Sequence, residues 1–197
     1  MSVSDRKRWD AKYADKPVPD RLSPDDWLID QAAGLPPGRA LELACGLGHN
    51  AIWLALHGWQ VDAVDISPAG LHRAADLASR CGARVNWIAA DLDDFEPEAA
   101  RYDLVLIFRF LDRQRLPGII QQALRPEGRL IYETFSTPHV SRPDSHMKNP
   151  AFALEPGELP RLFPQFAVES YAECSLADRD VARLVAARPV SVAKTNP

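Results

Sequence analysis

Cysteine is scarce in this chain: Cys45, Cys81 and Cys174 are three in number, widely spaced and without a Cys-x-x-Cys pair. That pattern excludes a disulfide scaffold and offers neither a zinc-chelating pair nor a dithiol redox couple. The three are expected to be reduced thiols, two of them buried. Long apolar runs are missing as well. No uncharged hydrophobic stretch reaches the roughly 18 residues of a membrane span, and the basic residues of MSVSDRKRWD are followed by no apolar segment. A cytoplasmic protein with no membrane partner is the expectation. Nor is positive charge in excess: with a formal net charge of -4, no global field draws the chain onto phosphate backbones, and DNA is not an expected partner. Repeats and low-complexity tracts are absent.

What is present is a globular composition, 46% hydrophobic and 25% charged over 197 residues, enough for one sizeable core and short for two. A helical pattern around 5–14 precedes the rest and is expected to lie across it. From Arg39 onward, short apolar runs alternate with segments of helical periodicity, the pattern of βαβ units on a parallel sheet. Residues 40–44 (ALELA), 61–66 (VDAVDI), 84–90 (RVNWIAA), 102–108 (YDLVLIF) and 129–135 (RLIYETF) read as five strands. The fourth is apolar throughout its second half, so both its faces are expected to be covered in the middle of the sheet. Helices are expected over 50–57 as far as Gly58, from Ser67-Pro68 through Leu71, Ala74, Ala75 and Ala78 to Gly82, and over 112–124. Residues 136–156 show no periodicity and contain Pro138, Pro143, Pro150 and Pro156; a loop that long in a compact domain is usually functional. A short helix near 158–163 and a hairpin of 166–173 with 181–189 follow.

The segment from Glu42 to Asn50, ELACGLGHN, places an acid near a strand end, then a glycine turn, then a helix start. Glycines let the backbone approach a ligand closely, and the helix N-terminus presents free N–H groups. Gly-x-Gly-x-x-Ala alone also matches the dinucleotide fingerprint. Glu42 tips the balance, because a carboxylate ahead of the turn repels a diphosphate and suits a cofactor with an ammonium and a sulfonium. Asp65, about 17 residues beyond Gly48 at the end of the second strand, can accept both hydroxyls of a ribose. Asp91 and Leu92, after the third strand, could meet an adenine edge, although Asp93 and Asp94 beside them also fit a solvated acidic turn.

Taken in order, ALELACGLGHN, VDAVDIS, AADLDDF, YDLVLIFRFLDR and LRPEGRLIYETF resemble the class I S-adenosylmethionine-dependent methyltransferases, in particular the bacterial branch similar to the tellurite-resistance methyltransferases. The likeness is strong over 39–135 and weaker over the terminal strands. It implies an α/β, Rossmann-like doubly wound sheet of seven strands in the order 3-2-1-4-5-7-6, strand seven antiparallel. S-adenosyl-L-methionine would lie over the carboxyl ends of the first two strands, at the switch point where open α/β sheets bind ligands. Carried over by position, the resemblance implies Glu42, Ala44, Gly46 and Gly48 for the methionine portion, with Asn50 at the helix start. It implies Asp65 for the ribose, Asp91 and Leu92 for the adenine, and Phe108 and Arg109 for the sulfonium side, with Ile66 also among the cofactor-binding residues. Many relatives have glycine where Ala44 stands. Trp9-Asp10-x-x-Tyr13 resembles the lid helix of these enzymes, its two aromatic residues one turn apart on a shared face. On this reading residues 1–197 are one domain: a lid region (1–38), a cofactor-binding core (39–135), a substrate loop and helix (136–165) and a C-terminal hairpin (166–190).

Methyl transfer from a sulfonium is an in-line displacement that chiefly requires collinear placement in a dry pocket, so no catalytic residue is obligatory and none is assigned. The Asn/Asp-Pro-Pro-aromatic string of exocyclic-amine methyltransferases is replaced by Ile107-Phe108-Arg109-Phe110, and none of the cysteines follows proline as a cytosine C5 nucleophile usually does. A small-molecule acceptor is expected. It would be framed by loop 136–156 with His139, Arg142, Lys148 and Asn149 beside Tyr132 and Glu133, a set that suits an anionic or soft acceptor; a merely solvated loop is the competing reading. His139 and His146 share that loop without a third ligand, so no metal is expected. The expected assembly is a monomer or a homodimer. Two other classes remain open: an NAD-binding oxidoreductase and a non-catalytic S-adenosylmethionine-binding module.

Overall fold

The computed structural model describes residues 3–14 and 17–190. Strands β1 (Arg39–Leu43), β2 (Gln60–Asp65), β3 (Asn86–Ala89), β4 (Tyr102–Phe108), β5 (Leu124–Phe135), β6 (Ala167–Ser175) and β7 (Asp180–Ala187) form one sheet in the order β3-β2-β1-β4-β5-β7-β6. The first five pair in parallel, and β7 enters antiparallel between β5 and β6. This is the order that the resemblance implies. The helices are α1 (Val3–Ala14), α2 (Asp26–Ala32), α3 (His49–Leu56), α4 (Pro68–Cys81), α5 (Leu116–Ala123), α6 (Thr137–Val140) and α7 (Glu158–Arg161). Among the described residues no helix is long and apolar enough to cross a membrane.

Strand β4 shows why the sheet is buried on both faces. Its residues alternate between two apolar clusters: Val105 and Ile107 pack with Leu41, Leu43, Ile119, Ile120, Leu130 and Phe163, while Leu104 and Leu106 pack with Leu28, Ala51, Leu54, Ala63 and Ile131. Helices α5 and α7 thus cover one face, α2 and α3 the other. Each fully buried Leu, Val or Ile here contributes roughly 1.5–3 kcal/mol, so a charge at any of these β4 positions would unfold the sheet locally. Helix α4 starts as its sequence dictates: the Ser67 side chain accepts the Gly70 N–H, Pro68 fills the first turn, and Gly82 closes the helix with φ 72°.

Several boundaries differ from expectation. Helix α5 begins at Leu116 rather than 112, because the Asp112 carboxylate accepts the Gln114 and Arg115 amides and holds a turn there. Strand β5 begins at Leu124, which already pairs with Tyr102 before the register shifts. The third strand shortens to Asn86–Ala89, and segment 136–156 carries α6 and a 3-10 turn at Pro150–Phe152. Two cysteines were expected inside. Only Cys45 is buried; Cys81 ends α4 and Cys174 lies on the edge strand β6, and both are partly covered free thiols.

Candidate functional site

The carboxyl ends of β1, β2 and β4 open into one cavity of about 400 Å³, with α1 lying across it. Trp9, Tyr13, Glu42, Ala44, Gly46 and Asn50 line it, as do Asp65, Ile66, Leu92, Phe108 and Arg109. The two carboxylates on which the cofactor reading depends therefore face a common crevice.

Glu42 is 3% exposed, and its carboxylate is held by α3: Oε2 accepts the Ala51 N–H at 2.9 Å and Oε1 the Asn50 amide at 3.3 Å. Burial pushes its pKa up to about 8, against the pull of those two donors and of Arg109. Asp65 stitches the glycine turn to the exit of β2, Oδ2 accepting the Gly46 N–H at 2.7 Å and Oδ1 the Ser67 N–H at 2.9 Å. Burial also raises its pKa, and Asp10 adds to the rise. The turn is tight, with Gly48 N–H bonded to the Cys45 carbonyl at 2.9 Å. Ala44 adopts φ 55° in this turn, the left-handed region where a side chain costs about 1–2 kcal/mol.

Arg109 follows β4 with φ 59°, strained backbone of the kind that collects at functional sites. Its guanidinium meets Asp25 at 2.8 Å and stands 3.9 Å from Glu133. Glu133 is fully buried and also pairs with Arg183 at 2.8 Å and Arg179 at 3.4 Å, while Asp25 pairs with Arg179 at 3.3 Å. Three guanidinia thus surround two buried carboxylates. The Asp25 backbone N–H in turn donates to Asn50 Oδ1 at 2.8 Å, so the cluster is joined through Asn50 to Glu42.

Other expected residues take different places. Gly48 does not line the cavity: a side chain there would lie 2.4 Å from the Trp87 ring, so the position serves packing of α3 on β3. Asp91 does not line it either, its carboxylate accepting the Asp93 N–H at 3.0 Å. On the acceptor side, Tyr132 is core, fully buried with its hydroxyl donating to the Phe110 carbonyl at 2.9 Å. Glu133 is behind Arg109, and His139 is buried with its ring stacked 4.5 Å from Phe135. Arg142 holds Asp144, Asp180 and the carbonyls of Leu176 and Ala177. Lys148 Nζ donates to the Arg142 carbonyl at 3.2 Å, and Asn149 caps the 3-10 turn by accepting the Ala151 N–H. Arg142, Lys148 and Asn149 tie the loop to itself and to the β6–β7 turn.

Lining residues that sequence reasoning missed are Lys12, Cys45, Leu47, His49, Phe110 and Phe135. Cys45, Leu47 and His49 sit inside the glycine motif, and Phe135 ends β5 as Phe108 ends β4, so position along the strands could have marked them. His49 is fixed from outside: its Nδ1 accepts the Ser23 N–H at 3.1 Å, which leaves the proton on Nε2. Burial, then Arg109, lowers its pKa, so the ring is a neutral donor. Among the described residues no cluster of metal-ligating side chains is present.

Residues 40–128 match the sequence family described as a methyltransferase domain. That match spans the glycine turn, Glu42, Asp65 and Arg109 together. The chain resembles the class I S-adenosylmethionine-dependent methyltransferases, TehB among them. The TehB structure from Haemophilus influenzae superimposes with a TM-score of 0.69 at 20% identity, covering 93% of this chain and 66% of that one. A structure described for conversion of a disulfide bond into a thioacetal group during echinomycin biosynthesis gives 0.78 at 21% identity, covering 95% and 93%. At such identities these two show the fold. In sequence, Hemagglutinin 1 of Eikenella corrodens is 34% identical over 146 residues, 70% of this chain and 46% of that protein. The chain spans between 21% and 57% of the length of the first curated relatives it matches. The glycine turn, α1 and the carboxyl ends of β1, β2 and β4 converge on the cavity described above.

Proposed function

We propose that this chain transfers a methyl group from S-adenosyl-L-methionine to a small-molecule acceptor by in-line displacement. The observation that carries the reading is the convergence of Glu42 and Asp65 on one cavity at the carboxyl ends of β1 and β2. When bound, the cofactor supplies a methyl group on a sulfonium, a leaving group that needs no protonation. Glu42 would receive the ammonium, and its hold on the Ala51 amide uses a helix N-terminal donor that a diphosphate would otherwise take. This weighs against a dinucleotide. Asp65 keeps lone pairs beyond its two amide bonds for a ribose. Ile66 and Leu92 give an adenine its apolar walls, Ala44 and Gly46 offer backbone, and Trp9 and Tyr13 exclude water from above. Burial keeps the Tyr13 hydroxyl neutral.

The acceptor would enter between Phe108, Arg109, Phe110 and Phe135, which line the same cavity. Arg109 is the cation there, in place of the loop residues Arg142 and Lys148, and it suits a small acceptor with negative charge. His49, as a neutral donor, can hold a carboxylate or the acceptor but not take a proton without changing tautomer. The test is calorimetry with S-adenosylmethionine, S-adenosylhomocysteine and NAD, followed by a methyl-release screen over thiols, oxyanions, amines and carboxylates. Binding of the adenosyl compounds with turnover of one acceptor class is expected. Binding of NAD alone would refute the reading, and binding without turnover on the whole panel would favour a non-catalytic module.

A further inference from the structure

Gly70 is out of place on local grounds. It lies in the first turns of α4 with a backbone that any residue can adopt, where glycine weakens a helix relative to alanine. The reason comes from another element. A methyl group at Gly70 would lie 2.9 Å from Cδ2 and 3.2 Å from Cε2 of Tyr13, and one at Gly46 would lie 2.9 Å from the Tyr13 hydroxyl. The two glycines are the seat of a single ring. Around that seat α1 and α4 exchange caps: Asp10 Oδ1 accepts the Ser67 hydroxyl at 2.6 Å and the Ala69 N–H at 3.3 Å, at the start of α4. In the other direction Arg73 Nε donates to the Tyr13 carbonyl at 2.5 Å and its Nη2 to the Ala14 carbonyl, at the end of α1. Trp9 stacks on Tyr13 with centroids 5.7 Å apart, so fixing one ring fixes both.

We infer that Ser67, Gly70 and Arg73 form a dock for α1, and that this docking holds Trp9 and Tyr13 over the cavity and sets how tightly the adenosyl cofactor is retained. The cofactor part of this inference rests on the function proposed above; the docking part does not. These are positioning residues. They line no part of the cavity and act through the two aromatic side chains. The arrangement gives Gly70 opposite effects on fold and on site, which a merely structural role would not.

The full chain carrying Gly70→Ala tests it. Helix propensity should raise its melting temperature, while trypsin cleavage at Arg8 and Lys12 in the ligand-free protein speeds up about tenfold as α1 leaves its seat. Its Kd for S-adenosylhomocysteine should weaken about fivefold to twentyfold, and the change should disappear in a Tyr13→Ala background, since the methyl group then has no ring to displace. Asp10→Ala, which removes the cap without adding bulk, should loosen α1 in the same proteolysis assay. Unchanged cleavage in both Gly70→Ala and Asp10→Ala overturns the dock. Equal loss of affinity with and without Tyr13 overturns its link to the cofactor. If the unmodified chain binds no S-adenosylhomocysteine, the proposed function fails while the cleavage experiment still judges the dock.

Discussion

Binding of the cofactor should expel a proton from Glu42, and the pH at which this stops is set by the structure. With a pKa of about 8 the carboxyl group of the empty site is protonated at neutral pH, since burial outweighs the Ala51 and Asn50 donors. An ammonium placed against it restores the charged form. At about pH 6.5 a group of that pKa is ~0.97 protonated, so close to one proton leaves per cofactor bound. The amino group of a free thioether amino acid is more basic than a chain terminus, so it is already charged at that pH and takes up almost no proton. At about pH 8 the release from Glu42 falls to roughly 0.5 proton, and it shrinks further above that as the carboxylate of the empty site is already charged. Calorimetric titration with S-adenosylhomocysteine in buffers of different ionisation enthalpy measures this number directly. Glu42→Gln should abolish the release at the lower pH. A proton count near zero there, or a release that survives Glu42→Gln, would refute the assignment of the ammonium to Glu42. The same group shapes stability in the ligand-free protein. Its pKa is raised on folding, so its contribution is complete below about pH 4.5 and is lost as pH rises through about 8. At about 1.4 kcal/mol per pH unit the ceiling on this contribution is about 5 kcal/mol. The melting temperature should therefore fall across that window, and Glu42→Gln should flatten the fall.

Ala44→Gly relieves a left-handed backbone and should stabilise the chain by about 0.5–1 kcal/mol in chemical denaturation, with cofactor affinity unchanged. Asp25→Asn keeps an oxygen for the Trp27 N–H but removes a charge from Arg109 and Arg179. A loss of about 2–3 kcal/mol is expected, and acceptor kcat/KM should fall more than cofactor affinity, measured by steady-state kinetics and calorimetry. Arg142→Ala should lower the melting temperature by releasing the Leu176 and Ala177 carbonyls, with acceptor KM unchanged; a large rise in KM would return the loop cations to the acceptor site.

The glycine turn, the helix starts at Ser67-Pro68 and the apolar fourth strand were readable because each depends on neighbours within a few residues. Period and punctuation place Glu42, Asp65 and Arg109 near strand ends, and parallel strands joined by helices carry those ends to the same edge of the sheet. The local pattern alone determined that much. Whether a side chain at such an end faces the cavity or the core depends on what arrives from elsewhere in the chain. Gly48 was assigned to a ligand and instead receives Trp87 from β3; Tyr132 was assigned to the acceptor and instead gives its hydroxyl to the Phe110 carbonyl. Arg142 and Lys148 read as available cations in the sequence, yet the first pairs with Asp144 and Asp180 and reaches carbonyls of the β6–β7 turn, and the second reaches the Arg142 carbonyl. Asp25 carries no signal in the sequence analysis, and only the folded chain brings Arg109 and Arg179 to it. Hydrogen bonds and ion pairs are satisfied by proximity in space, and a buried polar group takes its partner from whichever segment the fold places beside it.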